Sequence, residues 1–107
     1  MRYQVQLTEH AQRDLQEIYH YIACQLLSPE TADEMLARLE KAISGLSQMP
    51  ERFRKYENRL WNGSGLHVMP VKRYLVFYSP DSKSAVVTVF RILYGGRNID
   101  AQFLTVE

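Results

Sequence analysis

The chain has 107 residues, of which 46% are hydrophobic and 23% charged, and its formal net charge is +1. This length and balance are typical of one globular domain, which we expect over residues 1–107. The only cysteine, Cys24, excludes an internal disulfide, and we expect neither a secretory signal nor a membrane span, which favours the cytoplasm.

The first half of the chain predicts one strand and two helices. Residues 3–7 alternate apolar and polar side chains, as a half-buried strand does, and Thr8 can cap the helix that follows. Ser28-Pro29 is expected to begin a second helix and Met49-Pro50 to end it. The helical spacing of apolar residues gives two stripes, Ala11, Leu15, Ile18, Ile22 and then Ala32, Leu36, Leu39, Ile43, Leu46. The short connection predicts an antiparallel helical hairpin.

The second half predicts strands. Residues 66–71 form a possible strand, which Pro70 either weakens at its end or places at an edge. Residues 74–78 and 85–93 are rich in β-branched and aromatic side chains. Residues 80–83 are expected to be the turn between the last two strands. The order β-α-α-β-β-β predicts an α+β fold, a helical hairpin packed on one face of a mostly antiparallel sheet. The other face, with its loops, is expected to be left for function.

Charge is distributed unevenly along the chain. Residues 1–51 carry four basic and eight acidic side chains, whereas residues 52–97 carry nine basic and only two acidic ones. The basic half is expected to attract an anionic partner, either nucleic acid or an acidic protein segment.

A stretch of this basic half interleaves cations with aromatic side chains. Such a surface can pair with phosphates and stack on bases, or bind an acidic protein. The alternative is a solvated connecting segment whose aromatic residues pack on the core. The candidate binding residues here are Arg52, Arg54, Lys55, Arg59 and Trp61.

Four further cations lie near the last strands. Arg91 sits inside a very hydrophobic strand, where an unpaired charge is costly, so it must reach water, a carboxylate or a ligand. Arg97 follows a Gly-Gly pair, and Lys72 and Arg73 precede the neighbouring strand. Across a hairpin these four could converge in a cationic pocket, while a structural salt bridge is the alternative for Arg91.

Metal chemistry is not indicated. His20 and Cys24 are four residues apart on a helix but have no further ligand nearby, so we expect no metal and a buried Cys24. His67 could carry a proton near neutral pH, although a lone histidine on a strand is more often structural. The basic half lacks the carboxylates that metal-dependent nucleases need, and no phosphate-binding glycine loop or other cofactor motif is present.

Three stretches together carry the pattern of a known family. Residues 70–78 read Pro-Val-Lys-Arg-Tyr-Leu-Val-Phe-Tyr, and residues 89–99 read Val-Phe-Arg-Ile-Leu-Tyr-Gly-Gly-Arg-Asn-Ile. Residues 11–15 follow an Ala-X-X-Asp-Leu pattern, and Pro50 comes after the second helix. Over nearly the whole chain these motifs resemble the RelE/ParE toxin superfamily, with ParE-like members the nearer group. The resemblance implies two helices on a largely antiparallel sheet, as expected from the residues alone.

The resemblance implies the toxin of a type II toxin–antitoxin system, neutralised by a cognate antitoxin. ParE-like members poison DNA gyrase, whereas RelE-like members cleave mRNA on the ribosome without a metal, using arginines, lysines and a C-terminal tyrosine or histidine. Arg97 matches a RelE-type catalytic arginine by its position and would stabilise the phosphoryl transition state. Beyond it the chain has no tyrosine, histidine, lysine or arginine. Tyr94 and Asn98 stand where many ParE-like members have histidine and aspartate.

Two functions of different classes follow from this resemblance. The missing C-terminal acid favours a ParE-like toxin that contacts gyrase, with no cofactor. The alternative is a metal-independent endoribonuclease acting on the ribosome and its mRNA, in which Arg97, Arg91, Lys72 or Arg73 bind phosphate and Tyr94 or His67 moves protons. A decayed member that only binds its antitoxin is a third hypothesis. We expect an amphipathic antitoxin segment to lie on the exposed sheet or the helical hairpin.

Overall fold

The computed structural model describes residues 2–48, 50, 53 and 66–95. It contains β1 (Gln4–Leu7), α1 (Glu9–His20), α2 (Pro29–Ser44), β2 (His67–Val71), β3 (Tyr74–Asp81) and β4 (Val86–Tyr94). This order, with two helices on a four-stranded and mostly antiparallel sheet, confirms the predicted α+β fold. No helix in these described ranges is long and apolar enough to cross a membrane.

The strands are ordered β1-β4-β3-β2 across the sheet. β2, β3 and β4 run antiparallel to their neighbours, and β1 runs parallel to the first half of β4. In this four-stranded order β2 is an edge strand, which is one of the two alternatives that Pro70 indicated, because proline offers no N–H to a further strand. β1 ends at Leu7, so among the described strands none lies beside the second half of β4 on that side. Beyond Leu7, Thr8 continues the hydrogen bonding to β4. Its N–H donates to the Val89 carbonyl and its hydroxyl donates to the Phe90 carbonyl.

The predicted start of α1 is confirmed. The Thr8 hydroxyl oxygen accepts the Ala11 N–H at 3.1 Å, which satisfies one of the free donors of the first turn. The predicted apolar stripe faces the sheet, with Ala11 and Ile22 buried and Leu15 and Ile18 half-buried. After His20 the backbone widens into a π-helical turn, Tyr21–Gln25, that carries the stripe on to Ile22.

The second helix begins where predicted, at Ser28-Pro29, but ends earlier than predicted. Pro29 lies in the first turn as expected, but the Ser28 hydroxyl donates to the Thr31 hydroxyl at 2.6 Å instead of capping a backbone N–H. α2 ends at Ser44, before the predicted Met49-Pro50, and continues as a 3-10 turn, Gly45–Ser47. The tighter turn still directs Leu46 into the core, which explains why the apolar spacing suggested a longer helix.

The last turn also begins later than predicted. β3 continues through Pro80, which lies opposite Val87, to Asp81, so the turn covers residues 82–85 rather than 80–83. The Asp81 carboxylate accepts the Lys83 N–H at 3.0 Å, and Ala85 adopts a φ of 56°. Proline is compatible with a strand wherever its missing N–H is not needed for pairing. The sequence pattern therefore suggested a turn at Pro80, although this residue belongs to the strand.

The main core lies between the helices and one face of the sheet. Its buried members come from α1, α2 and β2 to β4, and they include Leu39, Ile43, Val76, Val87 and Val89. Interdigitation of these side chains holds the hairpin on the sheet, since burial of each large aliphatic side chain contributes about 1.5–3 kcal/mol.

The expectation that the second sheet face is left bare for function is wrong. Leu66, Val68, Phe77 and Leu93 form a second cluster in which each residue is at most 4% exposed, with Leu75 packed against it. Side chains alternate between the faces of a strand, so these residues belong to the face opposite the helices. At these positions both faces of the sheet are therefore apolar and buried. An accessible site is expected at the margins of the sheet instead.

Candidate binding groove

An ion pair joins α1 to the last strand. The Arg91 guanidinium donates through Nε to one Asp14 oxygen at 2.8 Å and through Nη2 to the other at 3.1 Å. The backbone N–H of Ile92 donates to the same carboxylate at 2.9 Å. Only 14% of the Arg91 side chain and 9% of the Asp14 side chain are exposed. Asp14 therefore closes the edge of β4 at the point where β1 no longer covers it.

The alternative interpretation of Arg91 as part of a structural salt bridge is confirmed. Paired, charge-assisted hydrogen bonds offset the cost of withdrawing both groups from water. The sequence assigned Asp14 no such role, although a signal was present. Asp14 lies three residues after Ala11 and four before Ile18, on the stripe that faces the sheet. A carboxylate at that position requires a partner, and Arg91 is the cation that the hydrophobic strand brings to it.

Beside this ion pair a groove of about 960 Å³ opens between the helical hairpin and one end of the β3–β4 pair. One wall is formed by α1, the π-helical turn and α2, and the other by the β2–β3 turn and the end of β4. Ile18, Ile22, Met35 and Ile92 line it with apolar surface. A groove with this mixture of apolar floor and polar rim suits a peptide segment or another ligand of comparable size.

The strand wall carries two of the predicted cations. Lys72 and Arg73 form the two-residue turn between β2 and β3, are exposed, and line the groove together with Arg91. Three of the four cations predicted to converge thus line this groove, with Arg91 already paired, and the fourth, Arg97, lies outside the described residues. Lys72 adopts a φ of 57°, a conformation that costs a non-glycine residue free energy.

The helical wall has the opposite character. Glu17 of α1 and Glu34 of α2 are exposed and line the groove, with Arg38 one turn beyond Glu34. Among the described residues, none of these three side chains, nor Lys72 or Arg73, forms an ion pair. The groove is therefore polarised, with positive charge along the strand wall and predominantly negative charge along the helical wall.

Three tyrosines add aromatic surface to the groove. The rings of Tyr74 and Tyr94 meet edge to face with centroids 5.9 Å apart, while Tyr94 and Tyr21 are 39% and 52% exposed. Burial raises the pKa of Tyr74, the nearby Tyr21 and Tyr94 raise that pKa further, and Arg73 opposes the shift. The Tyr74 hydroxyl is thus a neutral donor, and the predicted proton carrier Tyr94 lies on an accessible rim.

His67 lies in the interior and does not line the groove. It is 6% exposed, its ring stacks on Tyr78 at 5.5 Å, and its Nδ1 hydrogen-bonds the Phe53 carbonyl at 2.8 Å. The Tyr78 hydroxyl donates to the Pro50 carbonyl. This neighbouring pair on β2 and β3 fixes the backbone at residues 50 and 53. The ring of His67 is therefore engaged in the interior, as the structural interpretation of a lone histidine on a strand expects.

The expectation that Cys24 is buried is wrong. Cys24 is exposed in the π-helical turn, with its sulfur 3.8 Å from His20 Nδ1. Cys24 lies off the predicted apolar stripe, whose last member, Ile22, is the buried residue of this turn. Among the described residues, no three histidine, cysteine, aspartate or glutamate side chains come together as a metal site requires.

Several predicted residues lie outside the described ones: Arg52, Arg54, Lys55, Arg59, Trp61, Arg97 and Asn98. The sequence did not indicate five further residues of the helical wall, namely Glu17, Tyr21, Leu26, Glu34 and Arg38. Tyr21 and Leu26 could have been noticed as large apolar side chains off the buried stripe. The acidic pair is indistinguishable in sequence from any other solvated helix charge.

The sequence matches a family model over most of its length. Residues 5–99 match the model for the ParE toxin of the type II toxin–antitoxin system parDE. The chain belongs to the ParE toxin family. The match covers both helices and, except for Gln4 at the start of β1, all four strands, and it confirms the resemblance to the RelE/ParE superfamily on its ParE-like side. No curated protein matched the sequence of this ParE family member.

Solved toxin–antitoxin structures share the fold of this ParE family member. The chromosomal ParDE system from P. aeruginosa aligns with a TM-score of 0.68 at 17% identity, covering 87% of this chain and 96% of that one. The complex RelBE2 from Mycobacterium tuberculosis aligns at 0.62 and 23%, covering 88% and 99%. The archaeal RelE-RelB complex from Pyrococcus horikoshii OT3 aligns at 0.60 and 22%, covering 92% and 100%. At these identities the likeness concerns the fold.

Proposed function

We propose that this ParE family member is a bacterial, cytoplasmic toxin that inhibits DNA gyrase through protein–protein contacts and that a cognate antitoxin neutralises it. Two findings support the proposal. The family model is that of the ParE toxin, and the solved structures with the same fold include a ParDE system and two complexes of RelE-type pairs.

The bonding and burial of two candidate catalytic residues favour gyrase over mRNA as the target. Arg91 is engaged by Asp14, and His67 is buried against Tyr78 and hydrogen-bonded to a backbone carbonyl. A phosphate-binding group must reach the transferred phosphate, and a general acid must lie within hydrogen-bond reach of it. Neither side chain is presented to a nucleic acid in this arrangement. Contact-based inhibition needs no such constellation.

One observation keeps endoribonuclease action as a second candidate. Tyr94, Lys72 and Arg73 line the same groove, so a hydroxyl and two cations lie on one surface. If Arg97 joined them, metal-free RNA cleavage would have its acid and its phosphate-binding groups. A decayed member that only binds an antitoxin remains the third hypothesis, and it predicts no growth arrest at all.

The test is 5′-end mapping of cellular mRNA shortly after the protein is induced in a bacterium without its antitoxin, with Arg97→Ala alongside. We expect growth arrest without new ends inside translated codons, for both proteins. New ends that disappear in Arg97→Ala would identify a RelE-like nuclease and overturn the proposal. Unimpaired growth with soluble, folded protein would support the decayed member instead.

A further inference from the structure

We propose that the tip of the helical hairpin, formed by Tyr21, Leu26 and Leu27, is the surface through which this ParE family member contacts gyrase. The partner chemistry is that of an apolar, uncharged pocket on the gyrase protein, into which the tip inserts. The assignment rests on the proposed inhibition of gyrase and adds the contacting residues. It comes from the exposure, the charge and the backbone conformation of the tip.

The tip carries the most exposed large hydrophobic side chains among the described residues. Tyr21 is 52% exposed, Leu26 56% and Leu27 83%. All three follow α1, in the π-helical turn and the connection to α2. Single exposed apolar residues are common on protein surfaces, whereas a cluster of them at one end of a hairpin is typical of an interaction site.

The sequence of the tip contains no strongly charged side chain. Between Glu17 and Glu30 there is no aspartate, glutamate, lysine or arginine, although such residues make up 23% of the chain. Nucleic acids are bound largely through cations that pair with their phosphates, so the tip does not suit one. The centres of protein–protein interfaces are depleted in charge and rich in apolar and aromatic side chains, which is the character of this tip.

The backbone conformation of Leu27 is unfavourable for a leucine. Its φ of 53° lies in the left-handed region, where a Cβ is crowded and where glycine or asparagine is favoured. Because 83% of the side chain is exposed, packing within the chain does little to offset that cost. A strained position that presents an exposed apolar side chain is expected where that side chain binds a partner.

Backbone hydrogen bonds hold the tip in shape before a partner binds. The Leu26 N–H donates to the Tyr21 carbonyl at 3.1 Å, and the Ser28 N–H donates to the Ile22 carbonyl at 3.2 Å. Ile22 is buried, so the turn is anchored on the core while Tyr21 and Leu26 remain exposed. A preformed surface loses less conformational entropy on binding than a surface that has to be ordered.

A second copy of the chain is a poorer partner for the tip than a larger protein. A stable interface buries about 800 Å² on each partner, whereas two projecting tips bury only a fraction of that against each other. A concave pocket can surround the tip and remove all three side chains from water, as happens to the residues that anchor protein interfaces.

The experiment measures how strongly the purified full chain inhibits DNA supercoiling by purified gyrase. The tip variant is Leu26→Ser with Leu27→Asn. Asparagine tolerates a positive φ, so this variant should remain folded while it lacks both apolar side chains. We expect the concentration for half-inhibition to rise about tenfold or more, as for residues that anchor an interface.

Phe90→Ser is the matched control, because it removes another exposed large apolar side chain. Phe90 lies beside Thr8 at the start of α1, whereas the tip follows the end of that helix. The control should inhibit at the same concentration as the wild-type chain. An equal loss of inhibition in the control and the tip variant would overturn the proposal, since exposed apolar surface in general would then govern inhibition. Circular dichroism and the melting temperature establish that both variants are folded.

Cys24 allows a second measurement that leaves the sequence of the tip unchanged. It is the only cysteine of the chain, and it is exposed in the same π-helical turn. A maleimide-linked polymer on Cys24 should abolish inhibition by keeping the tip away from gyrase, whereas a small methylthio cap should not. The same polymer on the double variant Cys24→Ser with Phe90→Cys should leave inhibition intact. Undiminished inhibition by the wild-type chain with polymer on Cys24 would overturn the proposal.

The outcomes distinguish the tip from the proposed function. A wild-type chain that leaves supercoiling unaffected refutes gyrase inhibition, and the assignment of the tip with it. Inhibition that neither the tip variant nor the polymer changes would leave the function standing and refute the tip. In that case sedimentation velocity and flotation with phosphatidylcholine vesicles, each comparing the wild-type chain with the tip variant, would assign the tip to a second copy or to a lipid surface instead.

Discussion

Two sets of charges lie within the same groove and behave differently. Asp14 and Arg91 are withdrawn from water, bonded to each other and tied to the backbone of β4. Lys72 and Glu34 face solvent across the groove without an ion-pair partner among the described residues. The first set holds α1 to the sheet, and the second is available to a ligand. Residue type alone does not separate them, whereas burial and bonding do.

The largest effect is expected from breaking the buried pair. Asp14→Ala leaves the Arg91 guanidinium and the Ile92 N–H without their acceptor, so we expect a loss of about 3–5 kcal/mol in the free energy of unfolding. Urea denaturation followed by circular dichroism measures it. Asp14→Asn keeps an acceptor for the Ile92 N–H and should lose less. A loss below about 1 kcal/mol for the alanine variant would mean that the pair does not hold α1 on the sheet.

A smaller effect is expected from the interior hydrogen bond of Tyr78. Tyr78→Phe removes the donor to the Pro50 carbonyl and leaves a buried acceptor, which should cost about 1–3 kcal/mol. Tyr19→Phe is the matched control, because it removes an exposed bond to Asp33 and should cost clearly less. The same denaturation measurement compares them. Equal losses would contradict the distinction between interior and surface bonds.

The groove cations should matter little for stability. Lys72→Ala with Arg73→Ala removes exposed side chains, so the free energy of unfolding should change by about 0.5 kcal/mol or less for each. Association with the antitoxin should weaken measurably, mainly through slower association at low salt. Surface plasmon resonance at two salt concentrations measures this. A stability loss as large as that of Asp14→Ala would place these cations among the structural charges.

The smallest effect concerns acid stability at the β3–β4 turn. The hydrogen bond from the Lys83 backbone N–H lowers the pKa of the Asp81 carboxyl below its ordinary value, and hydrogen bonds from Ser84 lower it further. A lowered folded pKa means that this stabilisation is present above the unfolded pKa and is lost as pH falls through the folded one. Asp81→Asn should therefore lower the melting temperature slightly at neutral pH, leave it unchanged at pH values below the folded pKa, and so flatten the acid side of the profile. A steeper acid side in the variant would contradict the assignment.

Periodicity and turn chemistry predicted the element order, the helical hairpin and the edge position of β2. Those features follow from local patterns of apolar spacing and from proline. The pairing of Asp14 with Arg91 joins residues far apart in sequence, and so depends on the strand order that only the three-dimensional structure provides. The same is true of the second apolar face, because the strand alternation of Val68 and Phe77 does not state which side is covered.

The β2–β3 turn shows how far the candidate site could be predicted from the sequence. Lys72 and Arg73 were identified from their position before a strand, and the structure places them on the groove. The opposing acidic wall was not identified, since Glu17 and Glu34 lie on different helices and resemble ordinary solvent-facing charges. Their relation appears only when the hairpin is docked on the sheet. A site built from two distant walls is therefore less predictable from sequence than a single cluster of cations.

The central claim is that this ParE family member acts on gyrase by contact and not by cutting RNA. The most direct measurement is DNA supercoiling by purified gyrase in the presence of the purified protein, with the same preparation incubated with ribosomes translating a defined mRNA. The account predicts that supercoiling is inhibited and that the mRNA stays intact. Full supercoiling activity together with cleaved mRNA would contradict it.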